Sequence, residues 1–197
     1  MKKLVFTIIP FIWVLCGTAA YAQNVNVRGT ISAFDGKIIT VKSRDGRDVQ
    51  VELPDNVAVS ITQALKLSDL KPGQVVGVTT IKRASDGATV AIDIRPLSAT
   101  ANLGLSAYDL QPESTMTNAA LEGAVQSTGG QELMLNYKSG TVKVMVPEGT
   151  PMSRAAPGAR SDIKPGETIF AATKPAPDGK LVALRVQVSK DGVKPTQ

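Results

Sequence analysis

The sequence predicts an all-β protein built as two tandem small OB-like β-barrels joined by an ordered connector. Three observations indicate this fold class: a duplicated segment, short runs of apolar residues with a period of two, and turn residues at regular spacing. The duplication carries most weight, because self-similarity at a fixed period marks one supersecondary unit that recurs along the chain.

The duplicated segment recurs with an offset of 93 residues. The turn sequence at 68–73 returns at 161–166, and the strand-like sequence at 49–54 returns at 142–147 with the same offset. Matches nearer the ends of the repeat are offset by 94 and 92 residues, so the order is kept and changes in length fall at turns. We interpret this as two copies of one unit of about 70 residues.

Each unit is predicted to consist of short antiparallel strands, of which Val49 and Val51 show the alternation of a half-buried strand. One helical turn is expected at Ser68–Leu70, with Ser68 as its cap. Closure into a five- or six-stranded barrel would remove exposed strand edges. The strands predicted for the first unit are 27–33, 37–43, 48–53, 57–61, 74–81 and 88–95.

The N-terminus has the layout of a secretory signal: Lys2 and Lys3, an apolar run at 4–16, then Ala20-Tyr21-Ala22. The run is too short for a membrane span, which needs about 20 residues. We expect cleavage after Ala22 and a periplasmic or secreted mature chain without a transmembrane segment. A lipidated Cys16 is the rival interpretation, disfavoured because the residue before it, at position 15, is not small.

Composition excludes several kinds of chemistry from the mature chain. The single cysteine and tryptophan lie in the signal, and the sequence has no histidine. Disulfides, thiol or Ser-His-Asp catalysis and the commonest zinc ligands are therefore absent. Nearly all carboxylates sit at turns or on outward strand positions such as Glu52, which leaves a carboxylate active site only as a residual alternative, and no glycine-rich phosphate loop occurs. We predict no catalytic residue, no metal ligand and no cofactor, and thus a protein that is not an enzyme.

The chain divides into five segments by these criteria. The connector holds apolar residues such as Leu103, Leu105 and Tyr108, which predict that it packs across the barrels rather than acting as a flexible linker. The segments are a signal peptide at 1–22, a first barrel repeat at 23–97, the connector at 98–119, a second barrel repeat at 120–190 and a disordered tail at 191–197.

Three features together resemble a known family: the paired turns described above, the hairpins at Asp86-Gly87 and Asp178-Gly179, and the connector sequence 108–119. The chain is similar to a two-copy family of secreted and periplasmic proteobacterial proteins that carry an OB-like domain of unknown function. Tyr108 departs from the tryptophan usual in that family, and Glu113 is also unusual. The resemblance implies a location and a fold but no established activity; some similar sequences are labelled as parts of metal transporters.

The sharpest difference between the repeats concerns two methionines. If Ser139-Gly140 forms a two-residue turn, Met134 and Met145 pair on the outer face of the second unit. A Cu(I) site, a contact with the other barrel or connector, and a surface for a protein partner are the alternatives. We predict a partner surface formed by Met134, Met145, Tyr137 and Tyr108.

The sequence favours an exported, non-enzymatic binding or adaptor protein that docks a protein partner in the cell envelope. The alternative is a periplasmic protein that handles a small ligand or metal ion, is associated with a transporter, and holds its ligand in the groove between the barrels. Nucleic acid is disfavoured, because the mature chain offers few aromatic side chains for stacking and its net charge is only +3. Oligomeric state stays open.

Overall fold

The structure is a computed structural model that describes residues 24–127 and 130–196. The predicted signal peptide and its cleavage site after Ala22 lie outside these residues. Every strand predicted for the first repeat is present, with shifted ends. The strands are β1 (Val25–Phe34), β2 (Ile38–Ser43), β3 (Asp48–Glu52), β4 (Ala58–Ala64), β5 (Val75–Lys82), β6 (Thr89–Pro96), β7 (Gly104–Ala107), β8 (Thr115–Ser127), β9 (Gly130–Tyr137), β10 (Gly140–Val146), β11 (Ser153–Pro157), β12 (Thr168–Pro175) and β13 (Leu181–Val188).

A short 3-10 turn precedes β5 at Leu67–Asp69, and its repeat precedes β12 at Arg160–Asp162. The predicted cap, Ser68, is wrong. The Asp69 carboxylate caps the turn instead, accepting a 2.9 Å hydrogen bond from the Lys66 amide. In the second repeat the equivalent carboxylate, that of Asp162, accepts a 2.9 Å bond from the Ala159 amide. In both turns the acid at the third position satisfies an amide that the turn leaves without a partner.

The strands close into two barrels of five strands each, which confirms the predicted fold class. The first barrel runs in the order β1, β2, β3, β13, β12 and back to β1. The second runs β5, β6, β10, β9, β8 and back to β5. In each barrel one pair of strands is parallel, β3 with β13 or β6 with β10, and this pair completes the closure.

Each barrel combines strands of both sequence repeats. The first takes β1–β3 from the first repeat and β12–β13 from the second, and the second barrel takes the complementary set. The predicted division into one barrel at 23–97 and another at 120–190 is therefore wrong. Because the two copies share their apolar pattern, either copy of the last two strands can complete a barrel, and this chain exchanges them, as domain-swapped dimers do between subunits.

Strands β4 and β11 carry the chain from one barrel to the other and pair with each other. They run antiparallel, and Thr62 lies opposite Ala155. These two residues are 93 positions apart and are therefore equivalent in the repeats. A local two-fold axis thus passes between them, as in a symmetric dimer interface, where the same surface of both copies meets itself.

The two hydrophobic cores confirm the exchange, since each draws side chains from both repeats. Arg160, in the helical turn of the second repeat, also donates to the carbonyls of Gly36, Leu53 and Pro54 in the first. The core of the first barrel contains Val27, Ile31, Ile39, Val41, Val51, Leu53, Ile163, Ile169, Ala171, Ala183, Val186 and Val188. The core of the second contains Leu65, Leu70, Val76, Val78, Ala91, Ile94, Ala119, Leu121, Leu133, Leu135, Val144 and Val146.

The connector is ordered, as predicted, but it is shorter than 98–119. Its residues 104–107 form β7 along the edge of β8, and β8 itself begins at Thr115. Between these strands, the loop from Tyr108 to Ser114 is closed by a 2.9 Å bond from the Tyr108 amide to the Ser114 carbonyl. The Ser114 hydroxyl adds bonds to two carbonyls within the loop, so the loop has a defined shape.

The tail after β13 follows a defined path through Thr196, contrary to the predicted disorder. Lys190 and Val193 exchange two backbone hydrogen bonds around a turn at Asp191-Gly192. Thr196 is then 8% exposed, with its hydroxyl 2.8 Å from that of Ser153 on β11. The tail therefore returns to the junction between the barrels.

Candidate functional site

A cavity of about 400 Å³ lies at the junction between the two barrels. Both barrels, the connector, β11 and the tail contribute to its wall. We call it the inter-barrel groove. Its lining is mixed: the polar members include Asn26, Arg95, Tyr108, Asn118, Ser153, Arg185, Gln187 and Thr196, and the apolar ones are Pro96, Leu97, Met116, Ala155 and Phe170.

Three arginines and two aromatic rings alternate in a stack beside the groove, and all of them except Arg28 line it. Arg95 lies 5.7 Å from the centre of the Tyr108 ring, and Arg28 lies 5.4 Å from the same ring. Arg28 is also 5.2 Å from the Phe170 ring, which Arg185 approaches to 4.9 Å. Each contact of this kind contributes about 0.5–2 kcal/mol, and together they connect the second barrel, the connector and the first barrel.

Asp109 of the connector anchors this stack to the first barrel. It accepts bonds of 2.8 and 3.0 Å from the two terminal nitrogens of Arg28, and the Asn26 amide also donates to it. Burial raises the pKa of Asp109, but the hydrogen bond and charge of Arg28 outweigh it, and the pKa is lowered. Burial lowers the pKa of Arg28, but the hydrogen bond to Asp109 and the nearby Tyr108 have the larger combined effect, so the pKa of Arg28 is raised overall. The Arg28–Asp109 pair therefore stays ionised.

Arg95 is held from behind by a buried carboxylate. Asp93, 2% exposed, lies 3.1 Å from Arg95 Nη1 and accepts a 3.0 Å bond from the Thr79 hydroxyl. Burial raises the pKa of Asp93 more than the charge of Arg95 and the hydrogen bond lower it. This pair fixes the guanidinium of Arg95 at the groove wall, where it also donates a 3.1 Å bond to the Thr196 carbonyl.

Arg185 brings a second guanidinium to the same cavity. Its pKa is lowered by burial and then by the positive charge of Arg95. The positive charges of Arg95 and Arg185 repel each other, and an anion placed between them would be attracted by both. Chemically, the groove is suited to bind a carboxylate or a phosphate, groups that guanidinium donors match in charge and geometry.

A second basic cavity of about 390 Å³ lies on the other side of Phe170. Its cationic side chains are Arg28, Lys42, Arg44 and Lys194, and no acidic side chain is among the described residues that line it. Burial lowers the pKa of Arg44, and the charge of Arg28 lowers it further. We call this cavity the basic cleft. The tail passes from it, at Lys194 and Pro195, to the inter-barrel groove at Thr196.

Of the four residues predicted to form a partner surface, only Tyr108 belongs to this site. Tyr137 is half-buried against the core of the second barrel. Met134 lies opposite Lys143, and Met145 lies opposite Glu132, because the hairpin turns at 138–139 and not at 139–140. The direct methionine pair is therefore wrong, although a shift of two residues leaves both side chains on their predicted face.

Met145 contacts a residue of its own barrel, since its sulfur lies 3.4 Å from Arg83 Nη2. Met134 borders a shallow depression beside Val125, which is 62% exposed. The four residues do not form one surface.

Sequence reasoning missed Arg95 and Arg185, although the repeat contains the signal that points to them. Aligned at an offset of 92, Asp93 of the first repeat corresponds to Arg185 of the second, and Arg95 corresponds to Gln187. This reversal of charge between two otherwise similar strands is the signal that could have pointed to Arg185. The exchange of strands then brings Arg95 and Arg185 to one cavity.

Within residues 24–127 and 130–196, no three His, Cys, Asp or Glu side chains are grouped so that they could hold a metal ion. The same part of the chain contains no helix with the length and apolar character needed to cross a membrane. Comparison with protein-family models, curated proteins and solved structures finds no match. The resemblance in the duplicated turns and connector stays a prediction from the sequence.

Proposed function

We propose that this protein is an exported, non-enzymatic binding protein that holds an anionic ligand in the inter-barrel groove. The observation that carries the proposal is the approach of two guanidinium groups, Arg95 and Arg185, to one cavity. The carboxylate of Asp93 engages Arg95 from within the wall. Arg185 brings a further positive charge to the cavity.

The way in which the two barrels are joined supports binding rather than catalysis. Strand exchange and the Arg28–Asp109 pair fix the barrels relative to each other, so little ordering is needed when a ligand enters. Among the described residues, those lining the groove include neither histidine nor cysteine to act as a general base or thiol nucleophile. Export is inferred from the signal sequence alone.

The test is a titration of the mature chain, 23–197, with disodium succinate and with inorganic phosphate at constant ionic strength. Calorimetry and thermal unfolding should both show saturable binding, because a ligand that binds only the folded state raises its melting temperature. Replacing Arg185 with Gln should weaken binding about tenfold or more, since one charged hydrogen-bond donor is lost.

The matched control is Lys138→Gln. Lys138 is an exposed residue of the β9–β10 turn, and its replacement removes one positive charge outside the groove. It should leave the titration unchanged. Equal loss of binding in the two variants would mean that only net charge matters, and the absence of saturable binding by either anion would refute the proposal.

A further inference from the structure

The chain's own tail already occupies part of the inter-barrel groove. The Thr196 carbonyl accepts a bond from Arg95, and the Thr196 hydroxyl pairs with that of Ser153, which is 1% exposed. Both contacts are of the kind that an extended peptide makes: one uses the main chain and one uses a hydroxyl side chain. The groove thus holds a short peptide segment in the described structure.

The tail is a poor match for the surface that it crosses. Two residues before Thr196, Lys194 lies in the basic cleft with Arg28, Lys42 and Arg44. Arg28 pairs with Asp109 and Lys42 lies 3.8 Å from Asp48, so the charge that Lys194 meets comes mainly from Arg44. A positive side chain in such surroundings is repelled, and a negative one would be attracted. The surface therefore favours an acidic residue where this chain has Lys194.

We propose that the groove and the basic cleft together bind an extended acidic peptide segment of a partner protein, for which residues 194–196 are a weak internal substitute. The expected pattern is an acidic residue, any residue or proline, and then serine or threonine. The acid would lie in the basic cleft, and the hydroxyl residue would bind between Arg95 and Ser153. This inference rests on the proposed function and names the kind of anion that the site takes.

The tail and the partner segment would compete for one site. An attached segment acts at a high effective concentration, in the millimolar range for short flexible links, so even weak contacts keep it in place until a better ligand arrives. A partner with an acid at the position of Lys194 gains the attraction that the tail lacks, and displaces it.

Two synthetic peptides test the proposal against the full mature chain: one with the sequence of residues 190–196, and the same peptide carrying Lys194→Glu. The acidic peptide should bind several-fold more tightly than the natural sequence. In the intact chain, Lys194→Glu should raise the melting temperature and weaken binding of the acidic peptide several-fold, because its own tail then fits the cleft. Lys138→Glu, which makes the same change of charge elsewhere, controls for long-range repulsion.

Equal affinity for the two peptides, or a Lys194→Glu chain that binds the acidic peptide as well as the Lys138→Glu chain does, would overturn the inference. Succinate binding that is lost in Arg185→Gln would then still support the proposed function. If neither succinate, phosphate nor peptide binds, both proposals fail together.

Discussion

Asp93 shows how one buried carboxylate can serve a binding site at a cost to stability. Burial raises its pKa despite the adjoining Arg95. An unfolded aspartate loses its proton near pH 3.9, whereas folded Asp93 keeps its proton to higher pH. Between these two pKa values the folded state binds more protons, so the contribution of Asp93 to stability falls as the pH rises.

We therefore expect the stability advantage of the wild type over Asp93→Asn to shrink as the pH rises from about 4, and to level off above the folded pKa. Urea unfolding of both proteins across a pH series measures this difference, in which the other carboxylates cancel.

Asp86→Asn is the control of opposite sign. A hydrogen bond from Arg83 lowers the pKa of Asp86 to about 2, so the stability that Asp86 contributes is lost as the pH falls from about 4 towards 2. An advantage of the wild type over Asp93→Asn that grows with pH would contradict the account.

The equivalent glycines of β1 and β8 show that two copies of one element are not under equal constraint. A Cβ atom on Gly29 would lie 2.0 Å from the Lys42 carbonyl oxygen and 2.8 Å from Val41. Its counterpart Gly123, 94 residues on, has nothing within 4 Å of that position. Strands β1 and β2 therefore pack too closely at this point for any side chain.

Gly29→Ala should lower the free energy of unfolding by about 3 kcal/mol, because backbone atoms of β2 must move to admit the methyl group. Gly123→Ala should change it by less than about 0.5 kcal/mol. Chemical denaturation of the two variants makes the comparison, with circular dichroism to confirm that each folds. Similar losses in both would show that the strand spacing is not as described.

For the whole molecule, much of the fold could be predicted from the sequence, because alternating Val49 and Val51, the Asp-Gly turns and the duplicated Ser-Asp-x-Lys-Pro-Gly sequence are local signals. The composition of each barrel could not be predicted. Both copies of the last two strands carry the same pattern, and pattern alone does not say which copy pairs with β1.

The candidate site could not be predicted from the sequence for the same reason. Tyr108 is an unusual aromatic of the connector, but Arg28 and Arg95 beside it, and Arg185 beside Phe170, come from three distant strands. Only the exchange brings them together. Met134 and Met145, by contrast, were placed on the correct face by the period of two and in the wrong register, because the turn lies one residue earlier.

The exchange of strands is the central claim, because it fixes the barrels and creates the groove. Thr30 on β1 lies opposite Thr168 on β12 of the other repeat and opposite Lys42 on β2 of its own. The predicted mature chain has no cysteine, and Cα atoms of facing antiparallel residues are about 4.5–5.5 Å apart, within disulfide range. The double variant Thr30→Cys with Thr168→Cys should therefore form an intramolecular disulfide in the monomeric protein. The control variant Thr30→Cys with Lys42→Cys should form one equally readily. Mass spectrometry of the peptides identifies both disulfides. A disulfide in the control pair alone would mean that each repeat closes its own barrel, and would contradict the account.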